Sequence, residues 1–231
     1  MSKKKNPETL HVGLAATLRQ RIVRWYYTPG SYLLETDLCA EFNVSRSPVR
    51  EALKMLSATG FLENAGRRGY KVVQPDTEGT LQIYEARLAI ELFTIQRVTR
   101  GHGDPQIIEQ LRKQWNNVTE LQTKTTEQLA EADRTFHERL TGLLKNTVLS
   151  ELLEKIDERI EIFREIEFSN PDILEQTSLQ HLRILDAVES GDAVGAVQAI
   201  EDNISTAMQN VEHNMKEILA RAFAPKGKGS A

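Results

Sequence analysis

The sequence predicts a mainly α-helical chain of two modules, and three observations carry that reading. Apolar residues recur at spacings of three and four over most of the 231 residues. Strand-like patterning is confined to two short runs, residues 61–63 and 70–73. The charge divides near residue 75. Residues 1–75 carry 12 Lys/Arg against 6 Asp/Glu, and residues 76–231 carry 17 against 27, so a basic module precedes an acidic one.

In residues 8–27, Leu10, Leu14, Leu18, Ile22 and Trp25 line one helical face, and Thr28-Pro29-Gly30 ends it. A short helix over 35–42 has Leu38, Cys39 and Phe42 as its apolar side, and Asn43-Val44 makes a tight turn. Ser45 is an N-cap for a third helix reaching about Thr59, with Pro48 tolerated in its first turn and Gly60 ending it. Phe61-Leu62-Glu63 and Tyr70-Lys71-Val72-Val73 form a hairpin around Asn64–Gly69. This order is that of a winged helix-turn-helix, over residues 1–75. Gln74-Pro75-Asp76-Thr77 is the linker. Helices are expected over 77–100, 104–122, 127–144, 147–168, 172–190 and 192–220, giving an all-α antiparallel bundle over 76–222. Residues 223–231 are expected to be a disordered tail.

No apolar run approaches the roughly 18–20 residues a membrane span needs. The charged start, Met1-Ser2-Lys3-Lys4-Lys5-Asn6-Pro7, does not read as a signal peptide. Cys39 is the single cysteine, which excludes an internal disulfide framework and a Cys-rich zinc site. A cytoplasmic protein is expected.

The run Asn43-Val44-Ser45-Arg46-Ser47-Pro48-Val49-Arg50-Glu51-Ala52-Leu53 suits the front of a DNA recognition helix. Ser45 and Ser47 can donate to phosphates or base edges near a helix N-terminus. Arg46 and Arg50, four apart, share a face and can enter a major groove, where arginine pairs with guanine O6 and N7. Val49, Leu53 and Leu56 face inward, and Glu51 pairs locally. Arg67 and Arg68, between Gly66 and Gly69, sit at a hairpin tip that can reach a minor groove or phosphate. The plain alternative is a capped helix and a hairpin with solvated arginines.

Polar residues interrupt the apolar stripes of the second module. Asp133 and His137, at i and i+4, fall among Leu129, Phe136, Leu140 and Leu144. His181 falls among Leu174, Leu182, Leu185 and Val188, and Asn203 among Val197, Ile200, Ile204, Ala207 and Val211. Unpaired burial would cost roughly 1–3 kcal/mol each, and convergence on a divalent metal or polar ligand removes that cost. Asp and two His suit Zn, Ni, Mn or Fe; separately hydrogen-bonded core residues are the alternative. Arg159 lies on the stripe Leu152-Ile156-Ile160-Phe163, and Arg87 lies four residues before Glu91. Either could hold a carboxylate effector; the alternative is snorkelling to solvent for Arg159 and a salt bridge to Glu91 for Arg87.

Pro29-Gly30, Leu38, Val44-Ser45-Arg46-Ser47-Pro48-Val49-Arg50-Glu51-Ala52-Leu53, Gly60-Phe61 and Arg68-Gly69-Tyr70 together resemble the GntR family of bacterial transcription regulators. The helical remainder is similar to the FadR-type subfamily with its FCD effector-binding domain, and the six expected helices to its VanR-like branch. The resemblance spans about residues 8–215. It implies DNA contacts at Thr36, Ser45, Arg46, Ser47 and Arg50, and wing contacts at Arg67 and Arg68. Position 36 departs from the basic residue some relatives carry. The resemblance also implies metal ligation by Asp133, His137 and His181, with Asn203 standing where those relatives usually have a last histidine, and places Arg87 beside the effector.

The expected function is a ligand-responsive DNA-binding regulator, a repressor by the commoner family behaviour. A homodimer would bind a pseudo-palindromic double-stranded operator, and the helical domain would bind a divalent metal and a small organic acid. One alternative is a metal-dependent hydrolase fused to a DNA-binding domain. However, no metalloprotease motif or nucleophile elbow is present, and Glu138 points about 100° away from His137 on the helix. Another is a purely structural metal site.

Overall fold

The computed structural model describes residues 7–223. Among the described residues the chain divides into two compact units, 7–75 with 219–223 and 76–218. The expected tail, apart from Phe223, lies outside the described residues.

The first unit contains α1 (Pro7–Val23), β1 (Tyr32–Leu33), α2 (Glu35–Phe42), α3 (Arg46–Ala58), β2 (Leu62–Asn64) and β3 (Tyr70–Val72). Its core joins Leu14, Leu18 and Ile22 of α1 to Leu38 of α2, Val49, Leu53 and Leu56 of α3, and Leu33, Leu62 and Val72 of the sheet. Each such side chain, fully buried, is worth about 1.5–3 kcal/mol. α1 stops four residues short of the expected end. Tyr26 N–H donates to the Arg21 carbonyl at 2.8 Å and Trp25 N–H to the Ile22 carbonyl at 3.0 Å, with Trp25 left-handed at φ 58. That is a Schellman cap, built here without glycine. Asn43 ends α2 in the same region, at φ 50, and makes the turn into α3.

The sheet is antiparallel with order β1-β3-β2. Leu33 faces Tyr70 and Leu62 faces Val72. The sequence pattern missed β1 because two residues establish no alternation. Gly66–Arg68 forms a 3-10 turn at the hairpin tip. Gly69 follows at φ 81, and a Cβ there would lie 2.4 Å from the Leu33 carbonyl oxygen, so only glycine fits this crossing of β1.

The second unit is a helical bundle of α4 (Thr77–Arg97), α5 (Pro105–Asn116), α6 (Val118–Leu121), α7 (Thr126–Gly142), α8 (Thr147–Glu167), α9 (Pro171–Ser190) and α10 (Ala193–Phe223) as far as Ile218. Side-chain caps punctuate it: Asp76, Asp104, Asn117, Thr125, Asn146 and Asn170 each accept a backbone N–H at a helix start. Thr125 and Gln128 complete a capping box. The single helix expected over 104–122 is two, because Asn117, at φ −97 and ψ 67, leaves the helical region and caps α6. α4 packs on α7 and α8, and α5 on α9. Among the described residues, no helix is long and apolar enough to cross a membrane.

Candidate functional site

Two separate surfaces carry chemistry. The first is α3. Its inward face, Val49, Ala52, Leu53 and Leu56, is buried, which leaves Arg46, Ser47 and Arg50 exposed on the other side. Ser45 takes the N-cap position with extended backbone, but its hydroxyl makes no capping bond; the expected cap is positional only. Thr36 is exposed at the start of α2 and donates to Asp37 Oδ1 at 3.1 Å. Lys54 donates to Glu51 at 2.9 Å, the local pairing expected of that glutamate. Arg67 and Arg68 are exposed at the hairpin tip, with the Arg68 guanidinium 5.1 Å from the centre of the Tyr32 ring. Arg50 is held by Glu35 through two bonds of 3.1 Å.

The second is a buried polar cluster in the bundle. Asp133 and His137 project from α7 and His181 from α9, and one ligand atom from each lies within 4.8 Å of the others. His137 Nε2 is 3.7 Å and His181 Nε2 3.3 Å from Asp133 Oδ1. Both nitrogens are buried, and neither makes a hydrogen bond. Two orphaned imidazole nitrogens facing one carboxylate oxygen fit a divalent cation, which sits about 2.0–2.2 Å from such atoms. The other side of His137 is fixed. Its Nδ1 meets Glu91 Oε2 at 2.5 Å, and Arg87 Nε donates to Glu91 Oε1 at 2.7 Å. A carboxylate on Nδ1 holds one proton there, so a metal ion that displaced the other proton would meet the Nε2 lone pair. The His181 ring stacks on Phe136 at 3.7 Å and meets Trp115 edge-on at 4.2 Å.

The electrostatics follow from this packing. Burial opposes ionisation of Asp133, but the two imidazoles and the Arg164 guanidinium outweigh it and hold the carboxyl well below its usual range. Burial is likewise overcome at Glu91, which His137 and Arg87 bring down to about 2. At His137, Glu91 overcomes burial and raises the imidazole. At His181 burial wins and lowers the ring to about 4, so it is neutral and able to ligate at neutral pH.

Beside the cluster lies a cavity of about 30 Å³, lined by Arg87, Asp133, Arg164, Glu167, Gln180 and Asn203 among others. Asn203 donates from Nδ2 to Gln180 Oε1 at 2.9 Å, which leaves its carbonyl oxygen as the atom it can offer an ion or ligand. Arg87 makes the salt bridge to Glu91 that was the alternative to an effector contact, and it also lines the cavity, with Nη2 buried and unpartnered.

Arg159 requires correction: it is exposed and does not line the cavity. The buried face of α8 is Leu153, Asp157, Ile160, Phe163, Arg164 and Ile166, while Leu152 is 46% exposed. The apolar stripe was phased wrongly because the true buried face carries an ion pair. Arg164 takes the place expected of Arg159. It donates to Asp133 at 2.8 Å and to Asp157 at 2.6 Å, with Nη1 unpartnered. The signal available in the sequence was Asp157 and Arg164 seven residues apart, on one face. Glu167 was also missed. Burial, reinforced by the charge of Asp133, pushes its carboxyl up to about 7, and Asn214 donates to it at 3.4 Å.

Two family models match the chain. Residues 82–206 match the FCD domain, and residues 10–72 match the bacterial regulatory proteins of the gntR family. YdhC, an HTH-type transcriptional regulator of Bacillus subtilis (strain 168), is 26% identical over 202 residues, covering 87% of this chain and 90% of that protein. The gluconate operon transcriptional repressor of the same organism is 27% identical over 209 residues, covering 87% and 84%. The HTH-type transcriptional repressor RspR of Escherichia coli (strain K12) is 25% identical, covering 87% and 86%. Among solved structures, a GntR transcriptional regulator from Rhodococcus sp. RHA1 superposes with a TM-score of 0.70 at 22% identity, covering 88% of this chain and 97% of that one. This last likeness is one of fold.

Proposed function

The chain belongs to the GntR family of bacterial regulatory proteins and carries its FCD domain, and from that premise we propose a repressor whose hold on DNA answers to a small carboxylate in the helical unit. It is a DNA-binding transcription regulator and not an enzyme, so the hydrolase alternative falls. The finer reading places it in the VanR-like branch and in the cytoplasm, as a homodimer that sets two α3 helices on a pseudo-palindromic operator. Six helices longer than one turn in the second unit support the branch.

The observation that carries the ligand-responsive reading is a polar cavity with unpartnered arginine N–H groups in the middle of a helical bundle. Asp133, His137 and His181 would hold one divalent ion, with Asn203 adding an oxygen directly or through water. The ion would supply a Lewis-acid contact for the effector's carboxylate. Arg87 Nη2 and Arg164 Nη1 are further donors to it. About 30 Å³ accommodates one or two waters, so an organic acid enters only if α9 and α10 yield around it. A ligand that requires displacement binds one arrangement of the bundle better than another, and this differential affinity is what biases a regulator.

Selection of duplexes from a randomised double-stranded pool, followed by competition with a panel of two- to six-carbon acids on zinc-loaded protein, tests the reading. A palindromic consensus released by at least one acid is expected. No enriched consensus would overturn the DNA assignment, and an enriched consensus insensitive to acids and chelator alike would overturn the effector assignment.

A further inference from the structure

The pair Glu35–Arg50 joins the first residue of α2 to the middle of α3. Arg50 donates from Nε to Glu35 Oε1 and from Nη2 to Oε2, both at 3.1 Å. The Arg50 side chain is 53% exposed and that of Glu35 27%. An ion pair this open contributes little to stability. Its consequence is orientational. Side-on pairing uses the Nε hydrogen and one hydrogen of Nη2. The far edge of the guanidinium keeps one N–H on Nη1 and one on Nη2, parallel and pointing along the side chain. That edge is the fork that meets O6 and N7 of guanine. Arg46, one turn earlier on the same exposed face, has no ion-pair partner among the described residues, so of the two arginines only Arg50 is held in advance. The carboxylate also offsets the charge of Arg50, which reduces its share of sequence-independent attraction to phosphate.

We propose that Glu35 is a positioning residue for operator recognition: it fixes Arg50 side-on, so that a preset fork reads one guanine in each half-site and gains little on other sequence. The proposal rests on the assignment of α3 to the major groove.

The experiment uses the full chain and a randomised duplex pool, with wild type, Glu35→Ala, Glu35→Gln and Arg50→Ala selected in parallel. Each protein is then titrated with the wild-type consensus duplex, with that duplex changed at one symmetric guanine, and with an unrelated duplex, at fixed salt. Wild type and Glu35→Ala are expected to melt together, since the pair is exposed. Arg50→Ala is expected to lose the guanine from its consensus. Glu35→Ala is expected to lose about tenfold of the discrimination at the same position, while its affinity for the unrelated duplex holds or rises. Glu35→Gln, which keeps one acceptor and loses the charge, falls between. A consensus untouched by Arg50→Ala overturns the placement of Arg50 at a base, and the proposal with it. A guanine lost by Arg50→Ala but discriminated in full by Glu35→Ala overturns the proposal alone.

Discussion

Replacing Arg164 with methionine removes one cation from between two buried carboxylates. Arg164 is 3% exposed, Asp133 10% and Asp157 0% by side chain, so water cannot take over the arginine's role. Breaking one buried ion pair costs about 3–5 kcal/mol, most of it from the charge left behind. Asp133 retains the imidazoles of His137 and His181. Asp157 does not, and its Oδ2 is already without a hydrogen-bond partner, so the greater loss falls there. Arg164→Met is therefore expected to destabilise the helical unit by about 3–5 kcal/mol. At roughly 2–4 °C per kcal/mol for a domain of this size, the melting midpoint falls by roughly 6–20 °C. Adding Asp157→Asn removes the stranded charge, and the double variant should recover part of the loss, a coupling a double-mutant cycle isolates. Scanning calorimetry measures the midpoints, with Trp115 fluorescence as the local reporter because that ring is buried and 4.2 Å from His181. A loss below about 1 kcal/mol, or a double variant no more stable than Arg164→Met, would refute the reasoning.

The remaining predictions concern both units. Arg46→Ala should cost about 1–3 kcal/mol of operator affinity with the fold intact, as seen by titration at constant salt beside a circular-dichroism melt. After identical zinc loading and dialysis, metal analysis should find less bound ion in His137→Ala than in wild type and more in Asn203→His, since imidazole is the better donor; equal content in all three would remove these ligands. Burial pushes the folded Glu167 carboxyl up to about 7, against about 4.3 for an unfolded one. The folded state thus holds the proton more tightly, and stability drains away as pH climbs through that window. Glu167→Gln should be more stable than wild type by on the order of 2 kcal/mol at pH 8 and equal to it at pH 4, by urea titration. Sedimentation should show a dimer at micromolar concentration without DNA, and a monomer that still binds one whole operator tightly would count against two-fold use.

The helices of both units were readable because caps and breakers are local. Asn43, Pro105, Asn146, Pro171 and Gly191 announce ends that the backbone respects. Where termination depends on a cap without glycine, as at Trp25, periodicity ran past the helix. The cluster of Asp133, His137 and His181 was readable because polar residues at helical spacing stand out against leucine and phenylalanine. The same contrast misled on α8. There the buried face is itself built on Asp157 and Arg164, whose mutual neutralisation makes burial tolerable, and no count of apolar residues detects charges that cancel in space. Glu35 was hidden for a similar reason. Its partner is 15 residues away, across a turn, at a distance no helical or strand period reports.

The crossing at Gly69 divides the hairpin into a part that can drift and a part that cannot. The side chains at 67 and 68 are exposed, and of the two Arg68 rests its guanidinium on the Tyr32 ring, so exchanging them costs the fold beneath at most that one surface contact. A side chain at 69 has nowhere to go except through the Leu33 carbonyl, and yielding there would unzip β1 from β3. Evolution or an engineer can thus retune how far the wing reaches, and with what charge, by editing two arginines on a fixed hinge-plate, while the angle at which the wing leaves the body stays locked by a single missing methyl group.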